Sequence, residues 1–227
     1  MVLPVSALVD QLMELPTLPE VVDELRSRLA GEHAARERFY DQVPDGAKWE
    51  FIQGQIIMHS PDKVRHIEVR QLAERILGSY CHLRGCGTVL GEKALCVFPR
   101  NDFMPDVAFF GPAKAARLRP QQSRLPVPDL TIEVLSKSTA ASDRGVKFED
   151  YQAHGVGEYW ILDADRELVE QYVLKGGAYT LAMKSGSGEL RSTVVKGFCV
   201  PVRALFDAAE NLRALRAMLG EPAARRE

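Results

Sequence analysis

The sequence predicts a mixed α/β fold, with helices packed on a central mixed β-sheet and a helical extension ahead of it. Three observations predict this. Apolar residues are spaced as in helices up to about residue 45, and strand-like alternation begins at Lys48. From Pro61 the elements run helix, three strands, helix, strand, with further strands on both sides. Composition is that of an ordinary globular chain: of 227 residues, 46% are hydrophobic and 26% charged, which permits a substantial core and argues against wholesale disorder.

Residues 1–45 form a helical extension with a composition of its own. Leu8, Leu12 and Leu15 mark a short amphipathic run that Pro16 and Pro19 interrupt. A second run, to about Tyr40, carries Val21, Val22, Leu25 and Leu29 at helical spacing. A helical lid on the main domain is expected, a partner-binding pair being the other reading. Residues 46–206 form the main domain. Trp49 to Ile52, a Gln53-Gly54 turn and Gln55 to Met58 predict a β-hairpin. Ser60-Pro61-Asp62 predicts a helix start, with a capping hydroxyl, a first-turn proline and an acid at the positive end of the dipole. That helix carries Val64, Ile67, Leu72, Ile76, Leu77 and Tyr80, and ends before Gly85.

Three strands are expected next: one from Thr88 continuing through Val97, one from Asp106 to Phe110, and one from Leu130 to Leu135. Gly111 to Pro128, rich in proline and basic residues, reads as a long loop. A helix follows from about Ser142 to His154, where Gly155 stops it. Then come a strand at Glu158 to Asp163, a hairpin of Leu168 to Leu174 with Tyr179 to Met183, and a strand near Thr193. Residues 207–227 are expected to be a closing helix, from Asp207 to Leu219, and a frayed tail.

The formal net charge of −2 excludes a global positive field, so a DNA-coating protein is not expected. An enzyme touching nucleic acid through a local basic surface remains compatible. The four cysteines, Cys81, Cys86, Cys96 and Cys199, contain no Cys-x-x-Cys pair. Cys81-His82 with Cys86 lacks the second half of a zinc site, so reduced thiols are expected. No apolar run reaches the length of a bilayer span. The start, Met1-Val2-Leu3-Pro4, lacks the charged region and long apolar core of a secretory signal, and a cytoplasmic location is the expectation.

Chemistry concentrates in two runs, Met104-Pro105-Asp106-Val107 and Thr131-Ile132-Glu133-Val134-Leu135. Each sets one acid inside an apolar strand, where an uncompensated carboxylate is costly. Carboxylates on neighbouring strands suit Mg²⁺ or Mn²⁺, which keeps waters and takes substrate phosphate as a further ligand. Asp143, Lys147 and Tyr151, spaced by four, share one helical stripe. If that stripe faces the Glu133 strand, an ammonium joins the acids and can steady developing negative charge or orient a water. Blander readings stand beside these. Asp106 after proline could cap a turn, and Lys147 could pair with Asp143 on a solvated face. Glu50 could be an exposed strand residue and His66 an ordinary helix histidine. Trp160 reads as core, and Arg117, Arg119 and Arg124 as solubilising charges.

The order of these residues resembles the PD-(D/E)XK nuclease superfamily, with Pro105-Asp106 and Glu133 in its acidic positions. More narrowly the chain is similar to the Uma2-type restriction endonuclease family. The resemblance rests on Glu50-Phe51-Ile52-Gln53-Gly54, Ser60-Pro61 with His66, and Pro105-Asp106-Val107. It continues through Ile132 to Ser136, Asp143, Lys147, Tyr151 and Glu158 to Asp163, covering about residues 46 to 206. It implies a restriction-endonuclease-like fold and Mg²⁺- or Mn²⁺-dependent phosphodiester hydrolysis, of DNA. Asp106, Glu133 and the Val134 backbone carbonyl would ligate the metal, with Lys147 assisting the water. Glu50, His66 and Tyr151 would be auxiliary, and Arg117, Arg119 and Arg124 would contact phosphates. A homodimer would supply two sites for a duplex. Leu135 stands where the superfamily carries lysine; Lys147 is the expected substitute and Lys137 ranks second. The alternative is a catalytically inactive nucleic-acid-binding or protein-interaction module on the same fold.

Overall fold

The computed structural model describes residues 5–220; the frayed tail expected beyond them, and the first four residues of the N-terminal extension, lie outside the described part. The chain begins with α1 (Val5–Met13) and α2 (Leu18–Gln42), then the hairpin β1 (Trp49–Ile52) and β2 (Gln55–Met58). The long helix α3 (Val64–Arg84) leads to β3 (Thr88–Gly91), β4 (Leu95–Val97), β5 (Asp102–Phe103) and β6 (Val107–Phe110). A short α4 (Pro112–Ala115) and β7 (Arg124–Leu125) precede β8 (Leu130–Val134), α5 (Ala140–Asp143) and α6 (Val146–Ala153). The chain ends with β9 (Glu158–Asp163), β10 (Leu168–Lys175), β11 (Ala178–Ser185), β12 (Glu189–Arg191), β13 (Cys199–Pro201), a 3-10 turn (Val202–Leu205) and α7 (Ala208–Met218).

These strands make a six-stranded sheet in the order β11-β10-β9-β8-β6-β3 and a five-stranded sheet in the order β2-β1-β5-β4-β7, beside a small β12-β13 pair. In the large sheet β8 and β9 run parallel, joined by the α5–α6 crossover, while the other neighbours are antiparallel. The architecture is the mixed α/β one expected.

Strand alternation divides the core. Val107, Phe109, Ile132, Val134, Trp160 and Leu162 face α3 and the C-terminal segment in one apolar cluster. Ala108, Phe110, Tyr159 and Ile161 face the other way, against Cys96, Phe103 and Tyr151. The small sheet thus packs on the second face of the large one. On its outer side Phe51, Leu95 and Met104 meet Phe39 of α2. Trp160, fully buried, is a core residue. Glu133 alternates with Ile132 and Val134, so it points into the layer between the sheets. That position defines where the site lies.

Several elements depart from the expected boundaries. The hairpin turn has Gln53 at φ 50° and Gly54 at φ 84°, the mirror-image geometry that suits a two-residue loop. Pairing then extends to His59, whose N–H donates to the Lys48 carbonyl at 3.1 Å, so Ser60-Pro61-Asp62 is spent crossing to α3, which starts at Val64. The run from Thr88 to Val97 is two strands, because the chain changes sheets at Lys93, held at φ 71°. The expected helix over residues 142–154 is broken into α5 and α6 at Gly145, where a Cβ would meet the Ala141 carbonyl at 2.8 Å. Near Thr193 there is a loop rather than a strand, since its N–H and hydroxyl both donate to the buried Glu158. β5 and β7, two residues each, are too short for any periodicity to reveal.

Candidate active site

Four carboxylates converge at one end of the inter-sheet layer: Glu50 from β1, Asp106 just ahead of β6, Glu133 from β8 and Asp143 at the end of α5. All four are at least 98% buried. Lys147, the first-turn lysine of α6, is equally buried and reaches three of them. Its Nζ lies 3.0 Å from Glu133 Oε1, 3.0 Å from Glu50 Oε1 and 3.5 Å from Asp143 Oδ1. The Tyr151 hydroxyl, one turn further along α6, donates to Glu133 Oε1 at 2.9 Å. Lys147 therefore does pair with Asp143, but inside the site and not on a solvated face.

Asp106 has its own set of partners. Lys48 Nζ lies 2.6 Å from Oδ1, and Val134 N–H donates to Oδ2 at 2.8 Å. His66 Nε2, one turn into α3, is 3.3 Å from Oδ2. In an extended strand a residue's N–H and C=O point to the same side. The Val134 carbonyl therefore faces the Asp106 side of β8. Glu50 is held from two directions, with Oε1 accepting the Met104 N–H at 2.8 Å and Oε2 meeting His59 Nε2 at 2.8 Å.

Electrostatics separate the acids. Burial opposes ionisation of Glu50, but Lys147, His59 and the Met104 N–H outweigh it and hold its carboxyl at about 2. For Asp106 burial is likewise overcome, by His66 and Lys48, and the carboxyl stays well below its ordinary range. Glu133 goes the other way. Burial, reinforced by Asp143 and Asp106 and only partly offset by Lys147, pushes it up to about 8. Asp143 is also raised, chiefly by burial. Lys147 stays charged, because the surrounding carboxylates more than offset its burial.

Four carboxylates share the site with two ammonium groups. Both oxygens of Asp143 are buried without a hydrogen-bond donor, and Glu133 accepts its hydrogen bonds on Oε1 alone. The site is rich in hard oxygen and short of positive charge, which suits Mg²⁺ or Mn²⁺. Among the described residues no three His, Cys, Asp or Glu side chains group closely enough to enclose a metal. Main chain, water and substrate would have to complete its shell.

A cleft of about 440 Å³ is lined by Glu50, Lys147, His59, Thr139 and Ser142 among others, so of the four acids Glu50 is the one that lines it. A second hollow of about 230 Å³ opens beside His66. The two share Ser60 and Ser138, and His66 lines the second, which none of the four acids does. Lys137, the rival to Lys147, is exposed on the second hollow.

The structure therefore brings together Asp106, Glu133, Lys147, Glu50, His66 and Tyr151. It does not bring Arg117, Arg119 or Arg124 to them. These three are exposed around β7, at the edge of the small sheet opposite β2, where Arg124 lies 4.5 Å over the Tyr40 ring. Two site residues went unnoticed in the sequence. Lys48 shares a strand face with Glu50, two residues on, and His59 stands opposite Lys48 in the hairpin. Extending the hairpin register by one pair finds both.

No helix among the described residues is long and apolar enough to cross a membrane. No curated protein matches the chain. Among solved structures it resembles a chain described as a "putative nuclease belonging to DUF820", from Anabaena variabilis. The two are 17% identical, with a TM-score of 0.65 over 75% of this chain and 96% of that one. That likeness shows a shared fold. A family model matches residues 36–203, which is most of the described chain, and by it the protein belongs to the Uma2 family, described as "Putative restriction endonuclease".

Proposed function

We propose that this protein is a divalent-metal-dependent nuclease that hydrolyses phosphodiester bonds of DNA. The observation that carries the reading is the single buried ammonium of Lys147, 3.0 Å from both Glu50 and Glu133, at the foot of an open cleft. Burying this many ionisable groups costs stability, and a cluster of carboxyls with perturbed protonation beside a cleft is what a functional site looks like. Family membership supports the nuclease chemistry.

Asp106, Glu133 and the Val134 carbonyl would hold Mg²⁺ or Mn²⁺. When bound, such an ion polarises a phosphate oxygen and acidifies a water. The remaining work falls to side chains. Lys147 holds the Glu133 carboxylate in place and presents a fixed positive charge toward the cleft, where negative charge grows during hydrolysis. Tyr151 fixes the Glu133 rotamer through its hydrogen bond. Glu50 keeps Lys147 charged, and His59 in turn anchors Glu50. The Val134 N–H and the nearby His66 orient Asp106 through Oδ2, and Lys48 holds Oδ1.

Arg117, Arg119 and Arg124 enter the reading as phosphate contacts away from the chemistry, which carry affinity and not sequence choice. A homodimer is part of it because cutting both strands of a duplex takes two sites. So is a reducing compartment such as the cytoplasm, in which the four free thiols persist.

The test is cleavage of supercoiled plasmid by wild type and Glu133→Ala, side by side, with Mg²⁺, Mn²⁺ or EDTA. Metal-dependent nicking is expected from wild type and a loss of about a hundredfold or more from the mutant. Equal activity in both sinks the reading. One observation favours a second reading, a non-catalytic binding module: both oxygens of Asp106 are already occupied. That module binds DNA but cuts none with either metal.

A further inference from the structure

Lys48 is the second ammonium of the site. It lies just ahead of β1, and its ammonium contacts Asp106 Oδ1 at 2.6 Å. Asp106 is its only hydrogen-bond partner among the described residues. Its side chain is 13% exposed, against 2% for Asp106, so it approaches the carboxylate from the solvent side. Lys147, by contrast, is held by three carboxylates. The other oxygen of Asp106 accepts the Val134 N–H and lies 3.3 Å from His66 Nε2. A metal using Asp106 must therefore take Oδ1, the atom that Lys48 holds. A divalent ion sits about 2.0–2.1 Å from its oxygen ligand. An ammonium in contact with that same oxygen would face it at close range in a buried, weakly screened site.

We propose that Lys48 and the divalent metal compete for Asp106 Oδ1, so that metal entry expels the ammonium into the cleft. The inference rests on the metal-dependent reading above. Expelled, Lys48 has a flexible stem and no other partner in place. It is then free to pair with a phosphate oxygen of the substrate, which makes it a positioning residue that is engaged only when metal is bound. The competition also makes the ion easier to lose between turnovers, since a cation of the chain itself refills the site.

Titration calorimetry of the full-length protein with Mn²⁺ alone, and then Mg²⁺ alone, tests this on wild type, Lys48→Met and Lys48→Arg. Competition predicts that Lys48→Met binds metal more tightly, by about tenfold, while Lys48→Arg stays near wild type. It also predicts a larger metal-induced rise in Tm for Lys48→Met, because its Asp106 has lost the counter-ion that the metal replaces. Equal or weaker metal binding by Lys48→Met, with wild type binding normally, overturns the inference and leaves the nuclease reading intact. If Lys48→Met does not fold, Lys48→Gln takes its place in the same measurement. No binding of either metal to any of the proteins overturns the metal-dependent reading and this inference together.

Discussion

Glu133 is a residue whose burial costs stability, because its carboxyl sits among other buried charges. Its carboxyl has an ordinary value of 4.5 and is pushed up to about 8 by burial beside Asp143 and Asp106. Between those values the folded protein holds a proton that the unfolded chain has released. Stability is therefore full below about pH 4.5 and is lost as pH rises through about 8. Asp143, raised for the same reason, pushes in the same direction. Glu133→Gln keeps an oxygen for Lys147 and Tyr151 but cannot ionise. In EDTA at pH 8 it is expected to be more stable than wild type by on the order of 3 kcal/mol, several degrees in Tm. The gain should shrink toward pH 5. Thermal melts from pH 5 to 8.5 decide it, and parallel curves for the two proteins would contradict the argument.

At the scale of the element, α2 is fastened by its last turns. Arg36 donates to both oxygens of Asp102, at 2.7 and 2.6 Å, and to the carbonyls of Phe98, Pro99 and Asn101. The Tyr40 hydroxyl reaches the same carboxylate, and Phe39 is fully buried against Phe51. Asp102 is itself wholly buried on β5, beside the strand that carries Glu50. Arg36→Ala leaves that charge uncompensated and should cost about 3 kcal/mol or more. Urea unfolding measures it. On the proposed metal-dependent reading the variant should also bind metal less well, because β5 pairs with β1 and leads into Met104, whose N–H holds Glu50. A loss under 1 kcal/mol would mean that the pair behaves as a surface ion pair despite its burial.

At the scale of the whole molecule, the N-terminal extension divides into a free arm and a docked root. From Val5 to Gly31 every residue is exposed or half-buried, including Leu8, Val9, Met13, Leu25 and Leu29. From Glu32, which pairs with Arg100, the helix is tied to the domain. Removing residues 1–30 should leave Tm within about 2 °C of wild type, whereas removing 1–45 takes Arg36, Phe39 and Tyr40 and should lower it by about 10 °C or more. Light scattering on the shorter truncation tests the dimer. An apolar arm of this kind is a fit interface for a second copy, so on the proposed homodimer reading the truncated protein should be monomeric where the full chain dimerises. An unchanged oligomer removes the arm from that role.

Periodicity by itself determined most of the elements, because alternation and the 3.6-residue stripe are local consequences of which faces are buried. The hairpin, α3, β9 and the β10–β11 pair were legible for that reason, and so was the stripe that carries Asp143, Lys147 and Tyr151. What a run of apolar residues cannot express is its sheet partner. Thr88 to Val97 reads as one strand, yet its halves belong to different sheets. The same limit applied to the site. An acid in an apolar strand marks Asp106 and Glu133, but it marks Glu158 equally well. Glu158 is completely buried, yet neutral donors surround it: the Trp160 indole, Gln171, Ser192, and the N–H groups of Thr193 and Val194. It pins a loop. Glu133 instead meets the charged Lys147 and the Tyr151 hydroxyl, with Asp143 close by. Only tertiary structure separates the two, because the cost of a buried carboxylate depends on what surrounds it, and that set of partners is assembled from strands and helices far apart in the chain.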